Sequence, residues 1–142
     1  EDGEKHRPIM VHRVVYGSIE RFIGILIENY AGAFPVWLAP VQIKLLPITD
    51  AHVAYAKELA EKFFVLNFRA DVDARNEKIN KKIRDSQVKK IPYTVVIGDK
   101  EAETGEVSVR HRAGKTVNMP KDEFVKRLMD EVKTKSRELT IE

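Results

Sequence analysis

From residue 41 onward the chain alternates short apolar, β-branched runs with longer stretches of helical spacing, and this alternation decides what it can fold into. "VQIKLLPI" predicts a strand over 41–48. Thr49 and Asp50 offer a helix cap. Val53, Ala56, Ala60 and Phe63 then fall on one helical face. "VLNFRA" predicts a second strand over 65–70, and Asp73 is placed to cap a charged helix over 74–90 that holds Ile79, Ile83 and Val88. "PYTVVIG" reads as a buried strand over 92–98 ended by Gly98. "KEAETGEVSVRHR" reads as a turn with Thr104 and Gly105 at its tip, entering a strand over 106–112. Pro120 suits the first turn of a last helix, with Phe124, Leu128, Met129 and Val132 facing inward, and residues 134–142 are expected to fray. The order β-α-β-α-β-β-α predicts an α/β fold: a mixed, mostly parallel sheet with an antiparallel strand, flanked by helices.

The first forty residues follow a different pattern. "IMVHRVVY", 9–16, is a dense β-branched run and predicts a strand. Gly17 and Ser18 turn the chain, and Ile19, Phe22, Ile23, Leu26 and Ile27 recur at helical spacing, with Gly32 as the expected end. In "AFPVWLAP", Pro35 and Pro40 bracket Trp37, which discourages both helix and ladder. This stretch reads as an ordered connector, with Trp37 packing between two parts. The domain boundary is therefore expected near residue 40, dividing 1–40 from 41–142.

Composition narrows the function classes. With 142 residues and 43% of them hydrophobic, one packed domain is expected and a second can only be small. Residues of charged type make up 33%, with a formal net charge of +3, which permits a phosphate-bearing partner without demanding one. The absence of cysteine excludes disulfides and thiolate metal sites. No apolar run reaches membrane-spanning length, so no membrane partner is expected. The polar start "EDGEKHRP" lacks an initiator methionine and a signal-peptide pattern, and predicts a piece of a longer chain.

Three groups of residues could carry chemistry. Arg21 lies near a helix start, where free N–H groups and a dipole favour phosphate. A guanidinium adds a planar bidentate cation, and Gly17 allows close backbone approach. The same pattern also describes a glycine turn followed by a surface arginine. His12 is a second candidate, although one imidazole cannot hold a metal ion tightly. The third is the stretch 74–90, where Arg75, Lys78, Lys81, Lys82, Arg84, Lys89 and Lys90 face only Glu77 and Asp85. Such an excess suits a nucleic-acid backbone, or simply a solvated helix face.

"HRVVYGSIERFIGILIENYAGAFPVWLAPVQI" resembles the third signature motif of the class II aminoacyl-tRNA synthetases, followed by the junction to an anticodon-binding domain. More narrowly it is similar to the threonyl-tRNA synthetase family, in which "HR", "GSIERFIGILIE" and "FPVWLAPVQ" belong together. "DARNEKINKKIR", "IPYTVVIGDKE" and "VSVRHR" agree, so the resemblance covers about residues 7–137. It implies a C-terminal piece of a threonine–tRNA ligase that joins threonine to its tRNA, with ATP and magnesium, through a threonyl-adenylate. It implies that Arg21 grips ATP, that Ser18 and Gly17 shape that pocket's floor, and that His12 is one of three protein ligands to a zinc ion in the longer enzyme. For 41–142 it implies anticodon-base contacts by Asn76, Lys100, Glu101 and Arg110, with Ile48 a neighbouring apolar contact. Lys81, Lys82, Lys89 and Lys90 are expected to touch phosphates. The implied partner is the anticodon arm of threonine tRNA, in the cytoplasm. A homodimer is implied for the longer enzyme only, since the segments that pair lie outside this stretch. Taken alone, this stretch is expected to bind no cofactor and to do no chemistry. The alternative is a free-standing RNA- or protein-binding module derived from a synthetase. A small α/β enzyme with its own pocket ranks lower, because no nucleophile–base pair or carboxylate dyad stands out.

Overall fold

The structure is a computed structural model and describes residues 3–141. Its elements, in chain order, are α1 (Ile19–Asn29), β1 (Ile43–Pro47), a single 3-10 turn (Asp50–His52), α2 (Val53–Val65), β2 (Ala70–Val72), α3 (Ile79–Val88), β3 (Tyr93–Ile97), α4 (Asp99–Thr104), β4 (Glu106–His111), β5 (Thr116–Pro120) and α5 (Lys121–Thr134). The strands form one sheet of order β2-β1-β3-β4-β5. β1 pairs parallel with β2 and β3, while β3–β4 and β4–β5 are antiparallel. The α/β class and the helix-flanked mixed sheet are as the sequence predicts, with half of the pairings antiparallel rather than one strand alone.

Strand alternation makes two faces. Ile43, Leu45, Tyr93, Val95, Ile97, Val107 and Val109 point to one side, where Ala56, Leu59 and Phe63 of α2 and Phe124 and Leu128 of α5 close the core. Three aromatic rings meet there edge to face: Phe124 lies 6.0 Å from both Phe63 and Tyr93, near perpendicular to each. The opposite face carries Lys44, Leu46, Thr94 and Val96, and α3 packs on β1. Leu46 is fully buried.

Several expectations are corrected. Residues 9–16 form no strand: a β-branched run needs a partner ladder, and here Ile9, Met10, Val11, Val14 and Val15 are all exposed. α1 has no buried residue and stops at Asn29, before Gly32. Its end is a Schellman motif, with Gly32 N–H donating to Ile27 O at 2.9 Å and Ala31 in the left-handed region. The run at 65–70 is not a strand. α2 continues through Val65, Asn67 takes φ +63, and Phe68 N–H returns to Phe63 O, so the strand begins only at Ala70. The helix expected over 74–90 is shorter, 79–88, and its buried residues are Lys82 and Ser86, while Val88 is exposed. The turn before β4 is the short helix α4, closed by Gly105 at φ +70. "TVNMP" is an additional strand, β5. On α5, Glu131 rather than Met129 is buried.

The tail does not fray within the described residues. Leu139 and Ile141 are buried. Ile141 N–H donates to the Tyr93 hydroxyl, which donates to Glu131 Oε1 at 2.7 Å. Thr140 donates to the same oxygen through both its N–H and its hydroxyl. Glu142 lies outside the described residues.

The connector is stitched to the sheet. The buried Gln42 amide donates to Val36 O at 2.9 Å and accepts from Arg69 N–H at 2.8 Å. Arg69 in turn donates to the carbonyls of Ala39 and Trp37. Val36 and Ala39 are buried as a result.

Candidate nucleic-acid interface

The connection out of β1 runs through α2 to β2 on one side, and the chain then crosses through α3 to β3 on the other. The carboxyl ends of β1 and β3 therefore diverge at a topological switch point, where open α/β sheets leave a crevice. Three turns meet at that end: 48–52, 73–78 and 98–101.

The first two turns share a polar cleft of about 270 Å³, lined by Ile48, Thr49, Asp50, Arg75, Asn76, Glu77 and Lys82. Asn76 and Ile48 are both exposed. The third turn touches Ile48 directly. Ile48 N–H continues the ladder to Ile97 O at 3.0 Å, and a Cβ on Gly98 would lie 3.0 Å from Ile48 Cδ1 and 3.2 Å from Glu101 Oε2. Glu101 accepts from Gly98 N–H at 3.0 Å, which closes the start of α4. Lys100, next to it, is exposed. The structure thus gathers Ile48, Asn76, Lys100 and Glu101 at one end of the sheet.

Arg110 stands apart from them. It pairs with Thr94 and Thr116 in register, on the face that carries Lys44, which places it about 13 Å along the sheet from the level of Gly98. Its guanidinium leans toward the β4–β5 turn, 3.7 Å from the position of a Gly114 Cβ, and its Nε is buried without a hydrogen-bond partner.

The turn that carries Asn76 is held by a network that the sequence does not display. Asp73 is buried and its N–H donates to Leu45 O at 2.9 Å. Arg75 grips it with Nε at 2.8 Å and Nη2 at 2.6 Å, and Nη2 also reaches Asp85 of α3 at 2.8 Å. These guanidinium bonds outweigh the burial and hold the Asp73 carboxyl down at about 2. The same bonds push Arg75 further above its ordinary range. Asp73 is therefore an anchor of the Asn76 turn rather than the cap of a helix at 74. The charge pair 73/75 was visible in the sequence, but its closure by Asp85 depends on where α3 lies.

The lysines separate. Lys82 is buried, and its ammonium donates to Pro47 O at 3.1 Å. This corrects its expected role in touching phosphate, because β1 needs that ammonium as a bond to its last carbonyl. Lys81 is exposed and pairs with Glu77 one turn earlier. Lys89 lines a neighbouring cleft with Lys44, Asp73, Arg75 and Asp85. Lys90, with φ +55, donates to Ala31 O and so ties the end of α3 to the end of α1.

The upstream candidates lie elsewhere. Ser18 caps α1, accepting from Arg21 N–H at 3.4 Å and donating to Glu20, while Gly17 turns the chain at φ +68. Arg21 and His12 are exposed. Among the described residues no three His, Asp or Glu side chains come together as a metal site. No helix of the described residues is long and apolar enough to cross a membrane.

The layered α/β body gathers its polar turns at the switch point, and sequence comparison identifies the class of domain. A profile described as an anticodon binding domain matches residues 36–131, more than half of the chain, and the protein belongs to that family. Among its relatives are threonine–tRNA ligases. The chain is 58% identical over 137 residues to the enzyme of Desulforamulus reducens, covering 96% of this chain and 22% of that protein. It is 55% identical over 140 residues to that of Acidobacterium capsulatum, covering 98% and 21%. The solved RNA binding domain of threonyl-tRNA synthetase from Cryptosporidium parvum Iowa II matches with a TM-score of 0.74 at 32% identity, over 80% of this chain and 29% of that one. The chain spans about a fifth of the length of the curated relatives it matches.

Proposed function

We propose that this chain recognises the anticodon arm of threonine tRNA, as the C-terminal part of a cytoplasmic threonine–tRNA ligase. The whole enzyme joins threonine to that tRNA with ATP, through an adenylate, and pairs as a homodimer through segments outside this stretch. Residues 41–142 form the RNA-reading unit, with the 35–40 connector docked on it, and residues 1–34 belong to the catalytic part. There Gly17, Ser18 and Arg21 serve ATP and its magnesium, and His12 serves zinc, only in the whole enzyme. Catalysis needs every group held in one geometry, so this chain alone binds RNA without activating threonine.

The observation that supports the reading best is the meeting of Ile48, Asn76 and Glu101 at the switch point. Unpaired bases expose polar edges that such short, fixed side chains can address. An amide offers both a donor and an acceptor, and a carboxylate answers a ring N–H or exocyclic amine. Lys81, Lys89 and Lys100 add charge to the rim. Arg110 reads a base if its guanidinium swings from the Gly114 turn toward the bound strand.

The test is a titration with anticodon stem-loops that differ only in the anticodon. Asn76→Ala is expected to weaken the threonine loop about tenfold and the others little. Lys81→Ala is expected to weaken all loops alike and to flatten the salt dependence. Equal binding of all loops by the unaltered protein would overturn the reading.

A further inference from the structure

We infer that His52 is a positioning residue for base recognition, which clamps α4, with its Lys100 and Glu101, against the end of β1. The inference rests on the reading above and adds a residue to it. His52 closes the 3-10 turn directly after β1 and is buried, 7% exposed. Its Nδ1 lies 3.0 Å from Thr49 Oγ1, and its Nε2 lies 2.9 Å from Asp99 Oδ1. Asp99 is the first residue of α4, and its side chain is 92% exposed. The ring therefore joins the turn that carries Ile48 to the helix that carries Glu101, across forty-seven positions of sequence.

The partners fix the ring's roles. An ionised Asp99 can only accept, so Nε2 carries the hydrogen and donates. In the neutral ring Nδ1 then accepts from the Thr49 hydroxyl, and each neighbour holds the other's orientation. α4 spans only six residues, too short to be stable by itself. Its first turn is held by Glu101 on Gly98 N–H and by Asp99 on His52. Gly98 shows why small displacements matter here. Ile48 Cδ1 and Glu101 Oε2 already crowd the space beside its Cα. If α4 tips, the carboxylate of Glu101 and the apolar tip of Ile48 lose their fixed spacing. Affinity for the phosphate backbone, carried by the rim lysines outside α4, Lys81 and Lys89, is untouched by such a tilt.

The experiment has an RNA-free arm and an RNA arm. In the free protein, hydrogen exchange at residues 98–104 is expected to quicken about tenfold in His52→Ala and in Asp99→Ala. In His52→Gln, whose amide can still donate to Asp99, it is expected to stay near the original rate. Asp99→Ala alters an exposed side chain, so folding is not at stake. With anticodon stem-loops, both alanine variants are expected to lose about tenfold in discrimination between the threonine loop and a base-substituted loop, while binding of the substituted loop holds. The double variant is expected to lose no more than either single one. Unchanged exchange at 98–104, additive losses in the double variant, or no rescue by His52→Gln would overturn the clamp. Failure of the unaltered protein to discriminate loops would sink the anticodon reading alone, because the exchange arm still judges the clamp.

Discussion

Asp73→Asn isolates the network beneath the Asn76 turn. Asparagine keeps the shape of the side chain and removes the charge that Arg75 grips at 2.8 and 2.6 Å. A carboxyl held at about 2 rather than its ordinary 3.8 favours the ionised folded state by about 2.5 kcal/mol. The Arg75 side chain is half exposed, 52%, and solvent screening brings this to about 1.5 kcal/mol. Because the folded value is depressed, the contribution is complete above pH 4 to 5, is halved near pH 3, and is mostly lost as the pH falls to about 2. The assay is urea denaturation of both proteins at pH 7, 4, 3 and 2.5. The expected gap is about 1.5 kcal/mol at pH 7, or about 5 °C in Tm, closing steadily below pH 4. A gap that stays constant from pH 7 to 2.5 would refute the reasoning, since it would mean that the loss is one of shape rather than charge.

Two further predictions concern stability. Ile141→Ala is expected to cost about 2–3 kcal/mol in urea denaturation, because Ile141 is 1% exposed within the core. Lys82→Ala is expected to destabilise by about 1–2 kcal/mol through the lost bond to Pro47 O, whereas Lys81→Ala, on the exposed side of the same helix, should leave the midpoint within about 0.5 kcal/mol.

What the sequence revealed follows from the period of its apolar residues. β1, α2, β3, β4 and α5 all stand near their expected places: α2, β4 and α5 bury one face at a regular spacing, and β1 and β3 are short apolar runs buried on both faces. Expectations failed where a distant neighbour decides. The run 63–68 is apolar but for Asn67, yet Phe63 and Phe68 reach the same core by ending a helix, with Asn67 in the left-handed region, rather than by starting a strand. β5 does alternate, with Thr116 and Asn118 exposed and Met119 buried, but at five residues ending in a proline it is too short to stand out. The two apolar residues of the tail are too few to advertise burial, and their pocket is made by Tyr93, some forty-eight positions away. On α3, Ile79 and Ile83 predict one inner face, but the sheet above presents the Pro47 carbonyl, and the helix turns Lys82 toward it. The site residues were named by resemblance. No spacing along the chain tells that positions 48, 76 and 101 meet, since this depends on which side of β1 each crossover lands. The supports Arg75, Asp85, His52 and Asp99 carried no local signal beyond their charge.

The hydrogen bond from Ile48 N–H to Ile97 O also acts as a ruler. It sets the interval between the tips of two neighbouring strands at about 4.8 Å. Consecutive nucleotides in a stacked helix rise only about 3.4 Å. Side chains mounted on adjacent tips are thus out of step with a stacked strand, and a ribbon of bases can match them only by opening its rungs. Under the proposed function, that mismatch suits a loosened loop better than a duplex.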